Sequence, residues 1–142
     1  MRILVDTNVL LDVLAKREPY YEDSATIWSL AEVGQIEAYV SAISFNNVFY
    51  IVRKLEGVEK AFEAMKILRD LFMPVAPDAQ IINQAIDAKM KDFEDAIQYV
   101  SAIRAQVDFL VTRNPDDFPH EPIVICSPAE FLALHESEAD SA

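Results

Sequence analysis

Residues 1–14 read MRILVDTNVLLDVL. A short apolar run, Ile3–Val5, stops on a carboxylate, Asp6, and passes through Thr7 and Asn8 before apolar residues return at helical spacing at Val9, Leu10, Val13 and Leu14. The stretch predicts a buried strand that turns directly into a helix. Asp6 or Thr7 at such a junction can cap the helix by accepting backbone N–H bonds, so Asp6 alone does not establish a functional site.

The alternation continues along the chain. Strand-length apolar runs sit at 38–41, 73–75, 109–112 and 123–126, with helical patterns over 8–15, 21–33, 45–55, 58–71, 79–90 and 94–105. Gly34 and Gly57 fit as helix stops, and the prolines fall in gaps or at element ends. Helices between strands require parallel crossovers. The expected fold is therefore α/β, a three-layer α/β/α sandwich around a mainly parallel sheet of about five strands. Residues 1–134 are expected to form one domain, and the acidic tail 135–142, HESEADSA, to be unstructured. A chain of 142 residues can remove roughly 68% of its unfolded surface from water without help from disulfides.

Cys126 is the lone cysteine, and no CxxC or Cys/His cluster suggests zinc. It reads as an inert core-strand residue in a reducing cytoplasm, with Trp28 as an anchor of the second helix and His120 and His135 on the surface. The opening apolar run is broken too soon for a signal peptide, and none approaches the roughly 20 residues that cross a bilayer, so no membrane partner is expected. The formal charge of −12 repels polyanions at long range and argues against a general nucleic-acid binder. It does not argue against a nuclease that uses metal ions, because such a site is built from carboxylates and bound cations invert the local field.

Ligands of parallel sheets bind beyond the carboxyl ends of the strands. Three carboxylate sources reach that rim. Asp6 follows the first strand. In KDFEDAIQYVSAI (91–103), Asp92 and Asp95 open a helix whose buried stripe is Phe93, Ala96 or Ile97, Val100 and Ile103. They can form a capping box, although the run Asp92, Glu94, Asp95 exceeds what one cap requires. In DFLVTRNPDDF (108–118), a strand ends at Thr112 and leads into Asn114, Asp116 and Asp117. There the acids can cap a short turn, and the Thr112 hydroxyl can orient a neighbouring carboxylate. Oxygen-only ligands of this kind suit Mg²⁺ or Mn²⁺.

LVDTNVLLD (4–12), VSAISFNNVFYIVRK (40–54), KDFEDAIQYVSA (91–102) and FLVTRNPDDF (109–118), in this order, resemble the PIN domain family. That is the metal-dependent ribonuclease fold used by VapC-type toxins of toxin–antitoxin pairs. The resemblance implies hydrolysis of RNA phosphodiesters. Asp6 matches the first family carboxylate and Asp95 the third. The fourth position falls on Asn114, with Asp116 and Asp117 beside it, and Thr112 matches the supporting hydroxyl. Asp6, Asp95 and Asp117 are then the expected catalytic and metal-binding set, with Asp92, Asp116, Asn47 and Asn114 in support. The second family acid aligns with Asn47, a departure that keeps an oxygen ligand and removes a charge. With amides at both Asn47 and Asn114, two of four expected charges remain at those positions. Arg113 is the first choice for steering RNA, followed by Lys16 and Arg17 and then Arg53 and Lys54. An antitoxin protein and a second copy of the chain are the implied partners.

Two other readings compete. The opening motif is also similar to that of haloacid dehalogenase-type phosphatases, whose proton-handling aspartate falls here on Asn8, an amide that cannot do that work. The non-enzyme alternative is a weakened PIN-fold module that binds nucleic acid or protein, favoured by Asn47 and opposed by Asp6, Asp92 and Asp95.

Overall fold

Side chains alternate across the opening strand β1 (Arg2–Val5), and both faces are covered. Ile3 and Val5 point into one apolar cluster and Leu4 into another, all three with no exposure to solvent. This two-sided burial marks a central strand. In the computed structural model, which describes residues 1–141, β1 pairs in parallel with β2 (Glu37–Ser41) on one side and β4 (Phe109–Val111) on the other. β3 (Met73–Val75) and β5 (Val124–Cys126) complete the edges, giving the order β3-β2-β1-β4-β5 with every pairing parallel.

The helices divide unequally between the faces. α1 (Thr7–Leu14), α2 (Tyr21–Glu32), α3 (Ala42–Glu56), α4 (Val58–Leu71) and α7 (Pro128–Ser141) contribute to the cluster around Ile3 and Val5. α5 (Ala79–Ala88) and α6 (Phe93–Arg104) cover the other face. The five-stranded parallel α/β sandwich expected from the sequence is therefore the observed fold. Trp28 anchors α2 by packing edge-on against Phe72, with ring centroids 5.2 Å apart. Each such fully packed large side chain contributes roughly 1.5–3 kcal/mol.

The chain winds outward from β1 through β2 to β3, then crosses back over the sheet to β4 on the far side of β1. The winding reverses between β1 and β4, the place where open parallel sheets leave a crevice at their carboxyl ends. Asp6 and Thr112 stand on the two sides of that point, and the Asp6 amide donates to the Val111 carbonyl at 3.0 Å.

Two expectations need correction. The segment 135–141 is not an unstructured tail. It continues α7, which Phe131 fastens to the core through an edge contact with Phe109 at 5.7 Å. Ala142 lies outside the described residues. The stripe on α6 is also shorter than its period suggests: Ala96, Ile97 and Val100 are buried, whereas Phe93 and Ile103 at its ends are exposed.

Gly57 closes α3 and opens α4 with φ 96° and ψ 170°, a region open in practice only to glycine. A Cβ there would meet nothing within 4 Å, so the constraint is the backbone alone. Gly57→Ala is expected to lower stability by about 1–3 kcal/mol, with an unchanged denaturant slope in urea unfolding.

Candidate functional site

Asp6 occupies the N-cap position of α1, but its side chain makes no capping bond. Its carboxylate turns instead toward β4, where the Thr112 hydroxyl donates to Oδ2 at 2.8 Å. The Thr112 oxygen also accepts the Asn114 amide at 3.2 Å, which fixes the hydroxyl's direction. Asp6 is only 4% exposed. Burial raises its pKa, opposed by the Thr112 bond, the nearby Gln98 amide and the Thr7 and Asn8 backbone amides.

Asp95 is brought to the same place by the first turn of α6. Asp92 is the N-cap of that helix, and its Oδ1 accepts the Asp95 amide at 3.0 Å. Capping therefore accounts for Asp92 and leaves the Asp95 carboxyl free to face the rim. Its pKa is raised to about 7 by burial and then by the charges of Asp6, Asp92, Glu94 and Asp117. Five carboxyl groups from α1, α6 and the turn after β4 thus share one field. Asp116 and Asp117 lie in a short 3₁₀ turn, Pro115–Asp117, and are exposed, as is Asn114.

A cleft of about 580 Å³ opens beside these groups, lined by Asp92, Asp95, Asp116 and Asp117 together with Lys89 and Lys91. The two lysines were not singled out by the sequence reading. Lys89 lies outside every motif and Lys91 only opens the KDFEDAIQYVSAI stretch, and the left-handed turn at Lys89 (φ 53°), which ends α5, stands between that helix and the cleft.

The expected RNA-steering residues are placed differently. Arg113 is drawn inward: its Nε lies 3.4 Å from Asp12, and its guanidinium stacks on Tyr20, 4.3 Å from the ring centroid. Arg17 approaches the other Asp12 oxygen at 3.8 Å. Both arginines serve a carboxylate with no exposed surface, while Lys16 remains exposed. Asp12 was overlooked as a structural residue, and the signal was a charge set between Leu11 and Val13 on a helix short enough to be buried nearly all round. Burial raises the pKa of Asp12, and the two arginines oppose the rise.

Asn47, at the departure from the family pattern, sits on α3, and its side-chain amide donates to Glu94 Oε2. The same oxygen accepts the Thr7 hydroxyl at 3.1 Å, and Thr7 is 2.7 Å from the Ser44 hydroxyl. In the sequence Glu94 stands only as an acid beyond what one cap requires, and its partners Thr7 and Asn47 come from other helices.

The acids around Asp95 offer only oxygen atoms, which suits a hard divalent ion in kind. Among the described residues, however, no three His, Cys, Asp or Glu side chains stand close enough to enclose an ion. The acids surround a space without forming a closed cage.

A PIN domain family model matches residues 2–116. The chain belongs to the PIN domain family. Among solved structures, this PIN domain is similar to DNA-bound VapBC from Salmonella typhimurium, with a TM-score of 0.70 and 18% identity, covering 90% of this chain and 98% of the other. It is also similar to a toxin–antitoxin complex from Klebsiella pneumoniae, with a TM-score of 0.67, 21% identity and 89% and 97% coverage. A third is VapC20 of Mycobacterium tuberculosis, a toxin that cleaves the sarcin-ricin loop, with a TM-score of 0.64, 15% identity and 76% and 86% coverage. No curated protein sequence matches the chain.

Two consequences follow from the charges. Between pH about 4 and about 7 the folded protein keeps a proton on Asp95 that the unfolded chain has released, so stability falls as pH rises through this window. Asp95→Asn is expected to flatten that fall and to stabilise the metal-free protein at pH 8 by on the order of 1–2 kcal/mol, after discounting for its half-open position. Chemical denaturation at pH 5 and pH 8 measures both. Arg113→Ala is expected to cost about 2–4 kcal/mol, because it leaves Asp12 buried with the more distant Arg17 alone. Adding Asp12→Leu should recover most of that loss in the same assay.

Proposed function

We propose that this PIN domain is a Mg²⁺- or Mn²⁺-dependent endoribonuclease and the toxin of a toxin–antitoxin pair. The observation that carries the reading is the meeting of Asp6, Asp95 and Asp117 in one field at the point where the sheet reverses its winding. Asp6, Asp95 and Asp117 would hold the ion, with Asp92, Asp116, Asn114 and the Asn47 amide around them. A bound divalent ion lowers the pKa of water and offsets the charge that grows on the phosphate and the leaving oxygen. Thr112 holds Asp6 in one orientation by a hydrogen bond that also favours its ionised form. Asp95, half protonated near neutral pH in the metal-free chain, can give up its proton when positive charge enters the cluster.

Lys89 and Lys91 are better situated to receive substrate phosphates than Arg113 or Arg17, because they line the cleft and the arginines are engaged by Asp12. Two local lysines can attract RNA at short range against a chain charge of −12, since screening limits the general repulsion to about 10 Å at ordinary salt. The antitoxin partner is supported by the Klebsiella and Salmonella neighbours, which are assemblies of that kind. A homodimer acting in the cytoplasm belongs to the same reading. No helix among the described residues is long and apolar enough to cross a membrane.

A second reading has its own support. The open arrangement of the acids and the amides at Asn47 and Asn114 suit a module that binds a protein partner without cutting RNA.

Incubation of the purified chain with structured RNA and Mn²⁺ separates the two. The nuclease reading expects cleavage that chelator stops, that Asp6→Asn reduces at least a hundredfold, and that Lys89→Glu with Lys91→Glu weakens mainly through a higher KM. Intact RNA under every condition, with no Mn²⁺ uptake in calorimetry, would leave the binding module.

A further inference from the structure

Thr7, the residue after Asp6, is gripped from α6 by two side chains one turn apart. Glu94 accepts its hydroxyl at 3.1 Å, and Gln98, farther along the same helix face, accepts its backbone N–H through Oε1 at 3.3 Å. That N–H belongs to the peptide that follows Asp6. The peptide before Asp6 is held from another direction, by the bond from the Asp6 amide to the Val111 carbonyl. Both peptide planes that flank the Asp6 α-carbon are therefore fixed by elements other than α1, and the Thr112 hydroxyl then holds the carboxylate itself.

Glutamine is a costly choice for this place. Gln98 has no exposure, and Ile97, Val100 and Ala102 around it in α6 are buried apolar residues. A methionine would fill a similar volume without a polar atom to satisfy. The Thr7 N–H can bond only the oxygen end of the amide, so the orientation of the group is set. Its Nε2 has no acceptor within hydrogen-bonding distance, yet it lies near enough to Asp6 to favour that group's charge. A buried donor without a partner calls for a role.

We propose that Gln98 is a positioning residue for Asp6: Oε1 fixes the Asp6–Thr7 peptide, and Nε2 offers the carboxylate a second donor besides Thr112. The inference rests on the nuclease reading for its consequence in catalysis, and deepens that reading. The helix that grips Thr7 is the one whose first turn carries Asp95. Gln98 thus ties Asp6 and Asp95 into one frame from α6, as Thr112 ties Asp6 to β4. A displacement of about 1 Å at such a site can cost on the order of a hundredfold in rate.

Cleavage of structured RNA by the full chain with Mn²⁺, read as separate kcat and KM, tests the assignment beside the carboxyl-carbon resonance of Asp6 in the metal-free protein. Gln98→Met keeps the volume and removes both polar ends. The expected result is a displaced Asp6 resonance and a kcat lowered about tenfold or more, with KM within about twofold of native because Lys89 and Lys91 are untouched. Gln98→Glu, which keeps the acceptor for Thr7 and loses the amide donor, should show the same split. In the Asp6→Asn chain, Gln98→Met should cost less than about twofold, since Gln98 acts through that carboxylate. An Asp6 resonance left in place, cleavage by both variants within about twofold of native, or a loss undiminished in the Asp6→Asn chain overturns the proposal. If the native chain cleaves no RNA, the nuclease reading falls and the resonance alone decides: displaced, it supports Gln98 as the residue that positions Asp6, and unmoved, it overturns that role.

Discussion

The hydrogen bond from Thr112 to Asp6, 2.8 Å long and buried, joins the ends of the two strands between which the sheet reverses its winding. A buried carboxylate at a strand end is costly unless it is hydrogen-bonded. Here the adjacent strand supplies the donor, and the Asn114 backbone directs that donor. The arrangement requires β1 and β4 to be neighbours in register, which they are, with Val5 opposite Val111. It also requires helices on both faces, because a parallel sheet with one face open could not keep Asp6 dry. The topology and the orientation of one aspartate thus depend on each other.

Charge has opposite consequences at two places in this acidic chain. At Asp12, burial is answered by two arginines, and the result is structural. At Asp95, burial is compounded by four carboxylates, and the result is a group held half-protonated near neutrality. The difference lies in what the surroundings supply: Asp12 meets guanidinium groups of the protein, whereas Asp95 is raised by four neighbouring carboxylates, so added positive charge relieves the second site and has no role at the first.

The fold was legible because the sheet's two-sided burial writes itself into strand-length apolar runs, and the intervening helices carry a clear period. α4 and β3 fall on the residues expected for them. The last helix is not legible because HESEADSA is too polar to show a face, and its attachment comes from Phe131 and Leu132 upstream of that stretch. Asp6, Thr112 and Asp95 could be gathered from strand ends and helix starts. Glu94 could not be assigned a partner, since its tie to Asn47 spans 47 positions of sequence and depends on how three helices converge. Arg113 was misjudged for a related reason: its motif suggested an outward role, and nothing local disclosed that Asp12 would be buried beneath it.

Thr112 and Arg113 are consecutive residues, and each grips a different point of α1. Thr112 holds Asp6 at the start of the helix, and Arg113 holds Asp12, six residues on and roughly 9 Å farther along the axis. One grip would act as a pivot. Two grips from one strand end form a mount that stops α1 from either sliding along its axis or rolling about it. The position of the Asp6 oxygen is therefore set by the geometry of a short lever whose far end lies outside the acidic cleft, and precision at the cleft is inherited from the ion pair between Arg113 and the buried Asp12.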